Sequence, residues 1–523
     1  MPSTNIPIDQ MIQKIVTLFI FPAATLAPAA MALEVPNIFS DHMVLQQDIE
    51  LPIWGTADPG TAISVEFADQ EINTTADSNG KWILHLDPVE AGGDPQILII
   101  ESGENRLEFA DVVVGEVWLA SGQSNMEWSL NRTLDGDMNS IRPADDSIRF
   151  YDVSNTTSQE PRFTDEAKWQ ISGPDSSPSF SAVAYHFARD LQEILEVPVG
   201  IIHASWGGTP AIAWTREQVF DKHPLLSEKQ AEWEQRLGNY PEAYAAWETE
   251  VDQWRKANDQ PDNLNAWQIR RQGGPRAPRG PNSPHRPASL ANGMLAPVAP
   301  YAIRGAIWYQ GEADAGWAPE QYDERLGLMI EDWRDWWNLP EMAFGIVQLA
   351  NFLDPKAEPS NDPWPNLRES QRRLAAEDDL TGLVVTIDVG ELNDIHPRDK
   401  FTVGRRLARW ALADVYHQLD LRGGPELQGA EVAEGSVLLT FSEVGSGLTQ
   451  IDSRSVKGFT LAGADGVFYP ADAKIIDETT LQVSSPEVIA PTHVRYAWQN
   501  NPVDANLGNK ERLPASPFEV KFE

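Results

Sequence analysis

The chain has no cysteine among its 523 residues. That absence excludes disulfides, thiol nucleophiles and thiolate-bound metals. Basic residues are scarce beside acidic ones: Lys and Arg total 40 against 78 Asp and Glu, a formal charge of −38. Charge of that sign repels phosphate backbones and anionic headgroups, so neither nucleic acid nor a membrane surface is an expected partner. The 9 histidines are scattered, and neither a His-Glu-x-x-His zinc pattern nor a Gly-Lys-Ser/Thr phosphate loop occurs. No metal and no cofactor is expected. Apart from one stretch near the start, no apolar run approaches the ~18 to 20 residues that a spanning helix needs. What is present is a globular composition, 41% hydrophobic and 9% aromatic. The chain is too long for one ordinary core, so it divides into several domains.

The apolar stretch near the start reads as an export signal. Lys14 precedes the run 15–20, and Ala30-Met31-Ala32 fits a small-x-small cleavage site. Residues 1–32 are therefore expected to be a signal peptide, and the mature protein secreted or periplasmic. No cysteine follows to carry a lipid anchor.

Three patterns succeed one another. Residues 33–110 hold short alternating segments at 62–67, 81–86 and 96–100, separated by Asp58-Pro59-Gly60, Ser78-Asn79-Gly80 and Ala91-Gly92-Gly93. This spacing predicts an N-terminal β-sandwich. Residues 111–424 alternate apolar runs (116–120, 199–204, 305–309, 344–349, 382–387) with helical periodicity at 184–195, 322–337, 367–376 and 402–416. Such alternation predicts an α/β domain with a mainly parallel sheet covered on both faces. Within it, 225–290 is an insertion. Its first part carries Tyr240, Tyr244, Trp247, Val251 and Trp254 at helical spacing, read as a stripe packed on the main domain. Its second part, 273–287, is a Pro-, Gly- and Arg-rich loop. Residues 425–523 return to strand-like runs, predicting a C-terminal β-domain.

In an open parallel sheet the ligand lies beyond the carboxyl ends of the strands. The first apolar run ends at Gly122-Gln123-Ser124-Asn125-Met126, and a serine at a strand-to-helix turn exposes its hydroxyl beside free helical N–H groups. The second leads to Ser205-Trp206-Gly207-Gly208-Thr209, the third to Gln310-Gly311-Glu312, and the fifth to Asp394-Ile395-His396-Pro397. Serine is a weak nucleophile without a base. His396 can take its proton, and Asp394 is the nearest carboxylate to fix the imidazole. Oxyanion donors are expected from the Ser124 N–H, Gly207 or Gly208, and the Gln310 amide.

These segments resemble the sialate O-acetylesterase family, a branch of the SGNH hydrolases. The resemblance is carried by residues 115–128, Ser205-Trp206-Gly207-Gly208-Thr209, Asn292-Gly293-Met294, residues 307–312, Asp394-Ile395-His396-Pro397, residues 506–517 and residues 39–46 near the start. It implies an SGNH-like, flavodoxin-like parallel sheet flanked by β-sandwiches. It also implies metal-free ester hydrolysis that releases acetate from an O-acetylated sugar. The family's nucleophile maps to Ser124, its base to His396, and its oxyanion donors to Ser124, Gly207 or Gly208, and Gln310. Gln123, Asn125, Trp206, Glu312 and Asn292 are candidate substrate contacts. The acid stands two residues before His396 rather than three, so Glu391, Asp388 or a backbone carbonyl are alternatives to Asp394.

The first substrate expectation is 9-O-acetyl sialic acid, whose carboxylate calls for a cation. Arg276, Arg279 and Arg286 are candidates for it, while Trp206, Trp308 and Trp317 are candidate sugar platforms. The rival substrate is an acetylated polysaccharide such as xylan. A third reading is a non-catalytic glycan-binding protein, which the presence of both Ser124 and His396 disfavours.

Overall fold

The computed structural model describes residues 32–92, 94–452 and 455–522. Apart from Ala32, the segment expected to be an export signal lies outside them.

The centre of the molecule is an 18-residue strand, β1 (Asn105–Gly122). Its first half pairs antiparallel with Gln96–Ser102, which in turn pairs with Ala62–Phe67. Its second half is the middle strand of a parallel sheet built with β2 (Asp145–Asp152), β3 (Trp169–Ser172), β4 (Val199–Ser205), β5 (Gly305–Tyr309), β6 (Ala343–Val347) and β7 (Thr381–Val384). The order across the sheet is β7-β6-β5-β1-β4-β2-β3, all parallel except β3 against β2. Chain direction across the sheet reverses at β1, whose neighbours are β4 on one side and β5 on the other. That switch point is where a crevice opens in α/β sheets.

Both faces of the sheet are buried, as parallel sheets require. Alternate β1 residues point to opposite cores. Trp118 and Ala120 join a core formed with helices α2 (Ala182–Leu195) and α6 (Lys400–Trp410) through Val183, Phe187, Leu191, Val403, Leu407 and Trp410. Val117 and Leu119 join the other, formed with helices α4 (Tyr322–Trp336) and α5 (Pro363–Glu377) through Leu326, Met329, Trp333, Leu367 and Leu374.

The expected boundary at residue 110 falls inside β1. The N-terminal strands have no separate core: Ile63, Val65, Leu84 and Ile100 belong to the same apolar cluster as Trp308 and Trp333. The junction is also electrostatic. Glu116, with no side-chain exposure, takes both Nε and Nη2 of Arg304 at 3.0 Å, and Gln46, Gln47 and Tyr416 complete its shell. Such a pair holds geometry more than it adds stability, since desolvation offsets most of the attraction.

The C-terminal region is a sandwich of two four-stranded sheets around their own core, which includes Leu439, Phe459, Leu481, Tyr496 and Phe518. It is held to the α/β domain by Arg368, which is fully buried. The Arg368 guanidinium donates to the carbonyls of Leu349 and Ala350 on one side and of Gln499 and Asn500 on the other.

The insertion departs from expectation. Its first part is a single helix, α3 (Pro224–Asn258), in which only Leu226, Trp233 and Val251 are buried. The aromatic stripe does not face the main domain. It backs the Arg-rich loop instead: Trp247 Nε1 donates to the Pro275 carbonyl at 3.2 Å, and the Tyr240 ring lies close against Gly280. A long helix with so little buried area needs a partner, and the Pro- and Gly-rich segment supplies a flat one. Among the described residues, no helix is long and apolar enough to cross a membrane.

Candidate active site

β1 ends on Gly122 at φ +136°, where a Cβ would sit 2.3 Å from the Tyr309 carbonyl oxygen. Only glycine fits that approach. The chain then turns into a one-turn helix, α1 (Ser124–Glu127), which places Ser124 half-buried at its first position. The Ser124 N–H is one of the helix-start donors without an intrahelical acceptor, and no other partner is found for it among the described residues.

The loop after β7 brings His396 to this turn. His396 Nε2 lies 2.8 Å from Ser124 Oγ, and Nδ1 lies 3.4 Å from Asp394 Oδ1. The same Asp394 oxygen accepts the His396 backbone N–H at 2.9 Å, so the carboxylate is anchored to the residue it faces. The alternatives are engaged elsewhere. Asp388 is held by both terminal nitrogens of Arg406 at 2.7 Å, and Glu391 accepts from the Arg398 backbone at 3.0 Å. With Nδ1–H directed at Asp394, Nε2 is left as an acceptor for the serine proton.

Burial holds the His396 imidazole below its ordinary pKa. Asp394 opposes the shift, while Lys400 and Arg132 add to it. Trp128 stacks on the His396 ring with centroids 4.8 Å apart, and the Arg132 guanidinium lies over the Trp128 ring, 3.5 Å from its centroid. Neither Trp128 nor Arg132 was picked out from sequence. Their one signal was position: both follow the serine turn within two helical turns.

Two of the expected oxyanion donors are otherwise committed. Gln310 is fully buried. Its amide donates to the Thr209 carbonyl at 3.1 Å and to Asp314 at 2.6 Å, and its own carbonyl accepts from Tyr322 at 2.6 Å. It braces the Gly-Gly loop from behind and has no N–H to spare. The Gly207 N–H donates to Glu127 at 2.8 Å, and Glu127 is also held by Asn155. Gly208 remains: it is exposed at φ +75°, and its N–H has no partner among the described residues.

The expected substrate contacts divide in the same way. Asn125 is 1% exposed and spends its whole amide within the protein, on Glu312, the Ile395 carbonyl and Lys400. Glu312 is correspondingly tied to Asn125, and burial raises its pKa. Asn292 donates to the Gln159 carbonyl at 2.9 Å and so holds a neighbouring loop. Asn125 is corrected from a substrate contact to a support, because a polar group satisfied inside the protein has nothing left to offer a ligand; Glu312 and Asn292 each spend one bond on a neighbouring segment. Gln123 is buried with its carbonyl taken by the Ala313 N–H. Trp206 is half-buried against the core, Trp308 lies wholly within it, and Trp317 is covered by Arg325.

A second Ser–His–Asp chain lies nearby. His203 Nδ1 is 2.7 Å from Asp152 Oδ1, and Nε2 is 2.6 Å from Ser205 Oγ. These distances are tighter than those at Ser124. Ser205, however, is 2% exposed within the sheet, paired with Gly122. No carbonyl carbon can reach it, so burial, not hydrogen-bond length, separates the two constellations.

A half-exposed serine bonded to an imidazole, beside a free helical N–H at the switch point of a parallel sheet, defines an ester hydrolase of α/β type. Comparison with known proteins agrees. Residues 289–413 match the carbohydrate esterase family described as sialic acid-specific acetylesterase. The sialate O-acetylesterase of Mus musculus is 25% identical over 92% of this chain and 93% of its own length, and that of Homo sapiens is 26% identical over 92% and 91%. A solved carbohydrate acetylesterase from Xanthomonas citri is 33% identical with a TM-score of 0.78, covering 94% of this chain and 100% of its own. The chain belongs to this carbohydrate acetylesterase family.

Replacing Ser124→Ala is expected to lower kcat on p-nitrophenyl acetate by about a thousandfold or more, while Ser205→Ala stays within about threefold. Loss of turnover in Ser205→Ala with full activity in Ser124→Ala would reverse the assignment. The pH profile is a second check. The imidazole must be unprotonated to accept the serine proton, and its pKa is lowered. Activity is therefore present above the depressed pKa and lost as pH falls through it. The acid limb of kcat/KM should lie below the ordinary histidine value of about 6.5.

Proposed function

We propose that this protein removes O-acetyl groups from sugars that carry a carboxylate, with Ser124 as nucleophile, His396 as general base and acid, and Asp394 orienting the imidazole. The observation that carries the chemistry is the 2.8 Å contact between Ser124 Oγ and His396 Nε2. Ser124 Oγ attacks the acetyl carbonyl carbon while His396 takes its proton. The tetrahedral oxyanion faces the N–H groups of Ser124 and Gly208. His396 then protonates the departing sugar oxygen, leaving an acetyl-enzyme. Water attacks the acetyl carbon with its proton passing to His396, the ester bond to Ser124 breaks as His396 returns that proton to Ser124 Oγ, and acetate departs.

The names of the mammalian relatives supply sialate as the substrate class. A specific feature of this chain supports it. The charged groups that act on Arg279 are two further cations, Arg276 and Arg236. His285 is pushed down to about 4 by burial and by Arg279 and Arg276, and its ring lies against the Gly208 backbone. Arg286 Nη1 is buried without a partner. In a chain of net charge −38, arginines with no carboxylate partner among the described residues are anomalous, and an anionic substrate resolves the anomaly. A neutral acetylated xylan, the rival substrate, makes no use of them.

On this reading the double variant Arg276→Gln/Arg279→Gln raises KM for 9-O-acetyl sialic acid by about tenfold or more. Its kcat/KM on p-nitrophenyl acetate stays unchanged. Equal wild-type rates on acetyl-xylan and acetyl-sialic acid would remove the acidic-sugar assignment and leave the esterase chemistry intact.

We read residues 1–32 as an export signal, supported by the basic, apolar and small-residue pattern of the sequence. N-terminal sequencing of protein recovered outside the cytoplasm should then begin at Leu33. A chain retained in the cytoplasm with its N-terminus intact would refute export.

A further inference from the structure

Lys400, the first residue of α6, is completely buried. Its Nζ lies 2.5 Å from Asn125 Oδ1 and 5.1 Å from the centre of the Tyr309 ring. No carboxylate oxygen lies within ion-pair distance of it among the described residues. The nearest compensation comes through an amide: Asn125 Nδ2 donates to Glu312, whose other oxygen, Oε2, is buried without a partner. The same Nδ2 donates to the carbonyl of Ile395 at 3.1 Å. Asn125 directly follows Ser124, and Ile395 directly precedes His396.

An ammonium can only donate and a carboxylate can only accept, so the two ends fix which way the Asn125 amide points. Reversing the amide would set N–H groups against the ammonium and an oxygen against the carboxylate. With the amide fixed, the serine turn is tied to the histidine loop at Ile395, to the end of β5 at Glu312 and to α6 at Lys400. A buried ammonium without a direct counter-ion is costly. It bonds the residue that follows Ser124, whose amide in turn holds the residue that precedes His396, and that linkage gives it a use there.

We propose that Lys400 is a positioning residue for the esterase reaction, acting through Asn125 and Glu312 to hold Ser124 and His396 in register and placing a positive charge behind the imidazole. This inference rests on the catalytic roles given above for Ser124 and His396. The charged groups acting on His396 are Asp394 in its own loop, Lys400 on α6, and Arg132 beyond the stacked Trp128. Those acting on Lys400 are Glu312, Asp394, Asp399 and Glu391. Burial pushes Lys400 down to about 7, against the pull of Glu312. It therefore carries its charge across the more acid range where His396 titrates, and that charge resists protonation of the imidazole.

The test compares Lys400→Met with the double variant Lys400→Met/Glu312→Gln on p-nitrophenyl acetate. The single variant strands a buried carboxylate and is expected to lose stability. The double variant leaves a neutral, hydrogen-bonded cluster and should recover it. Glu312→Gln brings in no cation, so the charge that Lys400 sets against the imidazole stays lost. In the folded double variant kcat should stay at least about tenfold below wild type with KM within about threefold. The acid limb of kcat/KM should move up by roughly half a pH unit or more. A double variant that regains both wild-type kcat and the wild-type acid limb would show that Lys400 serves folding alone, and would overturn the proposal. If His396→Asn itself retained turnover, the underlying catalytic reading would fail, which is a different result.

Discussion

One strand constrains the rest of this protein. β1 is hydrogen-bonded to an antiparallel partner along its first half and to parallel neighbours on both sides along its second. A strand paired on both edges cannot shift by a residue without turning every side chain to the wrong face. Its C-terminal end is thereby held to the width of an atom, and Gly122 closes against the Tyr309 carbonyl. Ser124 follows two residues later, so its position is inherited from the most deeply paired element of the fold. The N-terminal strands share that element and its core, which makes them part of the catalytic scaffold rather than an appended module.

Charge is distributed with a consistent logic. The surface is strongly acidic, while the cations that matter are withdrawn from it. Arg304 meets Glu116 at the junction of the β-region and the sheet, and Arg368 gathers four carbonyls where the C-terminal sandwich docks. Lys400 holds the amide of Asn125, the residue next to the serine. Arg368 and Lys400 are buried, and Arg304 is half-buried against a buried carboxylate; a misplaced partner is expensive there, so each specifies one arrangement of the segments it joins. Arg276, Arg279 and Arg286 of the insertion are the exception. Among the described residues they have no carboxylate partner, on a loop that an aromatic stripe backs from behind.

The two Ser–His–Asp chains show why hydrogen-bond geometry is an incomplete criterion for catalysis. The Asp152–His203–Ser205 chain is the shorter one, yet its serine and histidine are closed inside the sheet. At Ser124 the imidazole–carboxylate contact is looser and the groups are half-exposed. A nucleophile needs an open path to the carbonyl and a free donor for the oxyanion; of these two serines, Ser124 is the half-exposed one and stands at a helix start.

Much of this was legible in the sequence. Period-two and period-3.6 patterns located the strands and helices, because burial on one face or both imposes those periods on the residues themselves. The strand-end rule put Ser124 and His396 at one edge of the sheet. The polar residues of the same motifs were harder to read. Gln310, Gly207, Asn125 and Glu312 looked like ligand contacts, since a motif records that a residue is near the site and not which way its hydrogen bonds point. Only the tertiary structure decided that they face inward, what they brace, and that Trp128 and Lys400 belong with His396. It alone turned the aromatic stripe toward the arginine loop. Local sequence determines periodicity and chemistry. The partners of a buried polar group come from strands and helices hundreds of residues apart, and they exist only once the chain has folded.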